Sequence, residues 1–417
     1  MRSTFRFLYK RLGEKLWIRP LTFCFLAVVA AFAAAMADRL DIHDAFPKMQ
    51  HDTVEKLLSI IAASMLGVAT FAVGSMVSAY ASVSNSATPR AFTLVISDDV
   101  SKTALSTFIA AFIFSVISLV AIKTGFYGRT GLFLVFAMTI FVLGWVVFTF
   151  IRWVDQIARL GRLGTTIDRV EKAAEAAIER RRLAPHLGAM PAISKDNHGE
   201  PIFTDQVGYV QHINVEALQS CAKRSDCTLT VAAMPGAFMA PGRAVAFAKT
   251  NSRTTQIDRP AVVKAFTIGH DRIYEEDPRF GLIALSEIAG RALSPAVNDP
   301  GTAIDIIGTF VRLFALWVSP VEDAHAKCDR VHVPALTLDE MFDDAFTAIA
   351  RDGAGSIEVA IRLQKAFLSL SATEHRDLAK AARYHSKLAL ARAEQSLKLP
   401  EELERVRALS NKVLSAA

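Results

Sequence analysis

Four stretches of the chain, 20–37, 57–89, 103–122 and 131–151, contain no Asp, Glu, Lys, Arg or His. Beyond residue 151 no run of comparable length occurs. A helix needs about 20 apolar residues to cross a hydrocarbon core of roughly 30 Å, so each run is long enough to span. Four transmembrane helices are expected, at about 20–37, 57–83, 103–122 and 131–151. The second run is longer than a span requires. Its end, Ser82-Val-Ser-Asn-Ser-Ala-Thr-Pro89, reads as an exit into water, where Ser, Asn and Pro satisfy or end the backbone. A soluble core helix rarely needs so long a charge-free stretch, and four in succession point to a bilayer.

Orientation follows from the basic residues beside the spans, because Lys and Arg resist translocation. Arg2, Arg6, Lys10, Arg11, Lys15 and Arg19 precede the first run; Arg152, Arg159, Arg162, Arg169 and Arg180 to Arg182 follow the fourth. The loop 38–56 is instead rich in Asp, Glu and His. Both termini are therefore expected in the cytoplasm of a bacterial inner membrane, with the first run a retained anchor rather than a cleaved signal. A hydrophobic share of 52% with 21% charged residues suits a membrane part joined to a soluble part. The net charge of +6 sits beside the spans, where anionic lipids attract it, so nucleic acid is not the expected partner. Cys24, Cys221, Cys227 and Cys328 are scattered and expected to stay reduced.

The expected fold is an α-helical membrane protein: a four-helix transmembrane domain (1–151) followed by a cytoplasmic α+β region. A helical stalk covers 152–183, where Gly161 and Gly164 are placed to bend it, and a Pro- and Gly-punctuated linker covers 184–201. A small β-rich module follows at 202–276, with extended character at 207–214, a helix at 215–225 and period-two alternation at 227–233. Gly236 and Gly242 bracket a short apolar segment in a manner that resembles the turns of biotinyl- and lipoyl-type domains. The lysine that would carry the prosthetic group is missing, so a structural β module is expected. Residues 277–417 read as an α-helical bundle.

The densest polar cluster of the soluble part is Arg291-Ala-Leu-Ser-Pro-Ala-Val-Asn-Asp-Pro-Gly-Thr-Ala303. Asp299 is placed as an N-cap with Pro300 at the first helical position. Ser294 and Asn298 are suited to bonding the turn backbone, and Arg291 to reaching Asp299 or Asp305. Arg291, Ser294, Asn298, Asp299 and Thr302 thus form either a rigid inter-helix turn or a partner site at a helix N-terminus. Capping alone accounts for each residue type, which favours the turn.

This segment resembles the signature of a bacterial membrane-protein family, domain of unknown function 2254. So do the small-residue second run leading into Ser86-Ala-Thr-Pro89-Arg90, the Gly208-Tyr-Val-Gln211 strand, Gly236-Ala-Phe-Met239 and Asp277-Pro-Arg-Phe-Gly281. Ala237 stands where the family usually has Asp, and Ala296 where it often has Gly. The resemblance implies a topology and no established activity.

For function, the absence of titrating groups from the runs argues against ion-coupled transport. The second run is unusually rich in small residues, among them Gly67, Thr70, Gly74, Ser75 and Ser78. These suit tight helix packing in the bundle or between subunits, or the lining of a narrow pore on an oligomer axis. The pore reading loses its main support if this helix is peripheral. An enzyme is not expected: no nucleophile elbow, zinc-protease motif or phosphate loop is present, and no cofactor is expected. His325, Cys328 and His332 lie in what reads as a loop between Pro320 and Pro334, without a recognised zinc spacing. His375, His385, the Glu275–Glu276 pair and the Asp343–Asp344 pair read as solvated surface. Two readings remain: an oligomeric, channel-like passive transport protein with a cytoplasmic gating domain, and a non-conducting scaffold or sensor. The expected partners are membrane lipids, further copies of the chain and, for the scaffold, a cytosolic protein.

Overall fold

The computed structural model describes residues 18–37, 49–86, 88–96, 99–160, 162–192, 199–250, 256–321 and 326–415. The basic residues Arg2 to Lys15, most of the acidic loop, Asp98, Gly161 and His325 lie outside the described residues. The chain divides into two compact units, Met1–Thr166 and Ile167–Ala417.

The first unit contains helices α1 (Ile18–Ala37), α2 (His51–Ser86), α3 (Pro89–Ile96), α4 (Asp99–Lys123) and α5 (Arg129–Leu160). The charge-free runs are helical over 20–37, 57–86, 103–122 and 131–151, and α2, α4 and α5 begin or end in polar residues outside them. The stretch read as an exit into water begins inside α2, which continues to Ser86. Thr88 then caps α3, accepting from the Arg90 amide at 3.1 Å, with Pro89 at the first helical position. α4 is the central helix, packed against α1, α2 and α5. It buries Phe108, Ala111, Phe114, Ser115 and Ser118. Trp153 of α5 is fully buried with its ring edge-on to Phe108, and the Tyr127 hydroxyl donates to the Ala31 carbonyl at 3.0 Å. Large apolar side chains cover the outside, including Phe25 at 68%, Phe71 at 65% and Phe141 at 69% exposure. In water such a surface would drive aggregation; against lipid tails it carries no cost.

Among the described residues, four helices are long and apolar enough to cross a membrane: α2, α4, α5 and, unexpectedly, α10 (Pro300–Trp317) of the second unit. α1 contributes a shorter apolar segment, Ile18–Ala34. The mean hydropathy of α10 is 1.2, against 2.1 to 2.5 for the other three. Its apolar face, with Ile306, Ile307, Phe310, Leu313 and Phe314, is buried inside its own unit, and its flank carries Arg312 in an ion pair with Glu171. Packing within the unit accounts for that apolarity.

The second unit is introduced by α6 (Leu163–Leu183). A five-stranded sheet follows, assembled from β1 (Ala189–Pro191), β2 (Glu200–Phe203), β4 (Cys227–Val231), β6 (Ala244–Thr250) and β8 (Cys328–Val333) in the order β1-β8-β4-β6-β2. β8 pairs parallel with both β1 and β4, whereas β6 is antiparallel to β4 and β2. A separate antiparallel sheet has the order β5-β3-β7, from β3 (Gly208–Ile213), β5 (Phe238–Met239) and β7 (Phe266–Gly269). Helices α7 (Val215–Arg224) and α8 (Arg259–Lys264) accompany the sheets, and Leu218 of α7 joins Leu229, Val245, Ala246 and Val331 in their core. Helices α9 (Pro278–Ala292), α10, α11 (Leu338–Asp352), α12 (Ile357–Ser371), α13 (Arg376–Ser396) and α14 (Pro400–Ser415) complete the unit. Phe310, Phe314, Phe342, Phe346 and Phe367 form their fully buried aromatic centre.

Three sequence expectations are corrected. The segment between Pro320 and Pro334 includes a strand, because Cys328, Val331 and Val333 bury between β4 and β1, partners far earlier in the chain. The stretch 184–201 includes β1 and the start of β2, so it is part of the sheet rather than only a linker. The β module is not confined to 202–276, because β1 precedes it and β8 enters its sheet from the helical region. Gly236 and Gly242 do sit in turns with positive φ, +91° and +85°.

Candidate functional site

In α2 the buried face is Ile61, Met65, Ala69, Ala72 and Met76. The residues singled out from the sequence lie mainly elsewhere: Gly67, Thr70, Gly74 and Ser78 are exposed and Ser75 is half-buried. A Cβ added at Gly67 or Gly74 would meet nothing within 4 Å. The small-residue face is therefore not what packs α2 within its own chain. The Ser64 and Thr70 hydroxyls donate to the Ile60 and Leu66 carbonyls at 2.8 and 2.9 Å, the usual way a hydroxyl is satisfied in an apolar helix. α4 does supply hydroxyls inside the unit, with Ser106, Ser115 and Ser118 buried. Their spacing was visible in the third run but was overshadowed by the richer second one.

The turn between α9 and α10 brings together most of its expected residues. Asp299 accepts from the Thr302 amide at 3.2 Å and the Thr302 hydroxyl at 2.6 Å, while its own amide donates to the Ala292 carbonyl at 2.8 Å. The Thr302 hydroxyl, followed by the backbone amides, holds the Asp299 carboxyl below the ordinary carboxylate range. The Ser294 hydroxyl donates to the Arg291 carbonyl at 2.7 Å, and the Ser294 carbonyl accepts from Asn298 at 2.8 Å. Asn298 adopts φ of +51°, a conformation its short polar side chain tolerates. Every group of Asp299 is thus engaged in building the turn, and the exposed part is the crest Pro295 to Asn298, where Val297 is 52% exposed.

A second polar constellation, passed over in the sequence, joins α6 to the loop before α9. Arg181 is buried and donates to the Glu276 carbonyl at 3.1 Å; burial lowers its pKa. Arg180 donates to the Glu275 carbonyl, and Arg182 to Glu179 at 2.7 Å and to the Ser319 carbonyl at 3.0 Å. The basic run expected to face lipid headgroups is therefore engaged inside its own unit. Asp277, 2% exposed, caps α9 through the Phe280 amide and accepts from Arg272 Nε at 2.7 Å. Gly236 is obligatory beside it, since a Cβ there would lie 2.2 Å from Asp277 Oδ2. His212 Nδ1 lies 2.5 Å from Glu276 Oε1, so Glu276 is paired rather than solvated. Asp344 pairs with Arg279 at 2.5 Å and is pushed up by burial; its neighbour Asp343 stays exposed. Gly281 approaches Ala174 of α6 so closely that a Cβ would sit 2.4 Å from the Ala174 Cβ. The segments Gly208 to Gln211, Gly236 and Asp277 to Gly281, which carried the resemblance, thus meet in one place.

Comparison with known proteins agrees. The family described as "Predicted membrane protein (DUF2254)" matches residues 13–369. The chain belongs to this family. Among relatives of this DUF2254 chain are uncharacterized proteins of Mycobacterium bovis and Mycobacterium tuberculosis, each 32% identical over 111 residues, 26% of the chain. The match spans 21% of the length of these relatives. No solved structure matches the chain. The DUF2254 segments gathered around Asp277 are engaged in ion pairs, caps and close backbone approaches. That arrangement fixes α6, the three-stranded sheet and α9 to one another. Among the described residues no cluster of three His, Cys, Asp or Glu is placed to hold a metal.

Proposed function

We propose that this membrane protein assembles with copies of itself through the exposed small-residue face of α2. In this reading it is a multi-pass inner-membrane scaffold with both termini in the cytoplasm, presenting its α/β unit to a cytosolic partner without conducting or catalysing. The observation that carries it is the unfilled face itself. Ala63, Gly67, Thr70, Gly74 and Ser78 repeat at three- and four-residue spacings along one side of α2, all exposed and open above the glycines. Lipid tails gain nothing from small residues, whereas a second helix gains close backbone approach. The peripheral position of this face also shifts the balance away from the channel and toward the scaffold. Gly74→Leu should convert the assembly to monomers by native mass spectrometry, and Gly74→Cys should give disulfide-linked dimers under mild oxidant. A monomeric wild-type chain in nanodiscs would remove the proposal.

A passive channel is the second reading, favoured by the small hydroxylated side chains Ser75 and Ser78 on α2, which would line a path if copies met along this helix. It requires current through purified protein in planar bilayers that Gly74→Leu alters. The partner face of the scaffold reading is the crest at Val297 and Asn298, and Val297→Asp should abolish capture of that partner without changing assembly.

A further inference from the structure

We infer that α1, α4 and α5 form a binding site for one glycerophospholipid, with its acyl chain between the helices and its phosphate at Arg152. Two adjoining features carry this. The first is an apolar cleft of about 380 Å³ walled by Leu26 and Ala30 of α1, Ala110 and Phe114 of α4, and Met138 and Trp145 of α5. The second is a smaller cavity of about 140 Å³ lined by Asp99, Thr103, Thr149 and Arg152, and also by Trp145. Trp145 lines both, so the two lie side by side along α4 and α5. At about 1.5 Å per residue, Met138 and Arg152 are separated by roughly 21 Å, more than one leaflet of a hydrocarbon core about 30 Å thick.

The polarity of the site changes once, from an apolar trough to a head end with two hydroxyls and a guanidinium, which is the polarity of a phospholipid. Asp99 at the head end is paired with Arg19 at 2.8 Å. Arg152 is exposed and, among the described residues, makes no ion pair. A guanidinium in that position takes a phosphate by charge-assisted hydrogen bonds, and Thr103 and Thr149 add neutral donors. The partly exposed ring of Trp145 lines both cavities, between the apolar trough and the polar end. Because these helices are surrounded by lipid, the cleft fills with a chain from the bilayer unless a second protein covers it.

The test uses the full chain in detergent, exchanged against phosphatidylglycerol or against dioleoylglycerol, which offers the same tails without the phosphate. Native mass spectrometry counts the retained molecules. One phosphatidylglycerol per chain should survive washing, with dioleoylglycerol lost. Arg152→Gln should weaken retention about fivefold, the contribution of one Arg at an anionic headgroup. Ala110→Trp, which fills the trough, should remove it. Equal retention of both lipids, unchanged retention in Arg152→Gln, or an Ala110→Trp variant that loses self-association in place of lipid would each overturn the site. Unaltered elution and helical circular dichroism of Arg152→Gln identify the loss as one of binding rather than folding.

Discussion

His385 shows how a single residue departs from its sequence pattern. It stands on a charged helix, yet it is 3% exposed and packed among Phe342, Phe346 and Phe367. Burial lowers its pKa from the ordinary 6.5; Asp343, 3.5 Å from Nε2, and Asp339 oppose the shift, and Arg392 adds to it. Between the folded and unfolded values the unfolded chain binds a proton that the folded chain refuses. Stability is therefore full above about pH 6.5 and is lost as pH falls through that window. Hydrogen exchange of the α13 amides in the full chain should show less protection at pH 5 than at pH 7.5. His385→Phe should flatten that difference; an equal decline in both proteins would exclude His385 as its source. Nothing in the local sequence announced this burial, because the aromatic cage comes from two other helices, α11 and α12.

At the scale of elements, ends were more legible than partners. Asp277-Pro278 and Asp299-Pro300 each signal a capped start, and each aspartate accepts from the amide three residues on. Asp299→Ala should cost about 1 kcal/mol of stability in the second unit, the usual worth of an N-cap, measured by chemical unfolding of the full chain. A loss no larger than a few tenths would mean the turn is held without the cap. The helical runs were legible for the same local reason, since charge-free length is a property of one segment. What local pattern could not give was the use of each face. α2 looked like a densely packed interior helix, but Ala69 and Ala72 face inward while Gly67 and Gly74 face out. Arg180 to Arg182 looked like headgroup anchors, but three loop carbonyls and Glu179 occupy them. β8 was missed because its stabilisation lies in pairing with β1 and β4, not in its own composition.

At the scale of the molecule, two compact units imply separable responses to damage. Val331 is fully buried on β8, an inner strand of the five-stranded sheet between β1 and β4. Val331→Asp places a carboxylate there without a partner and should cost several kcal/mol. Limited proteolysis in nanodiscs should then degrade 167–417 while leaving the α1–α5 fragment protected. Simultaneous loss of both units would show that they fold as one. The arrangement that places Val331 between β1 and β4 also sets an order in time. At about 5–20 residues per second, a ribosome that has finished β4 needs roughly 5–20 s more to reach Val333. Through that interval β1 and β4 lack the strand that belongs between them, so the nascent chain leaves the ribosome with open β-edges, the situation in which a chaperone is most useful.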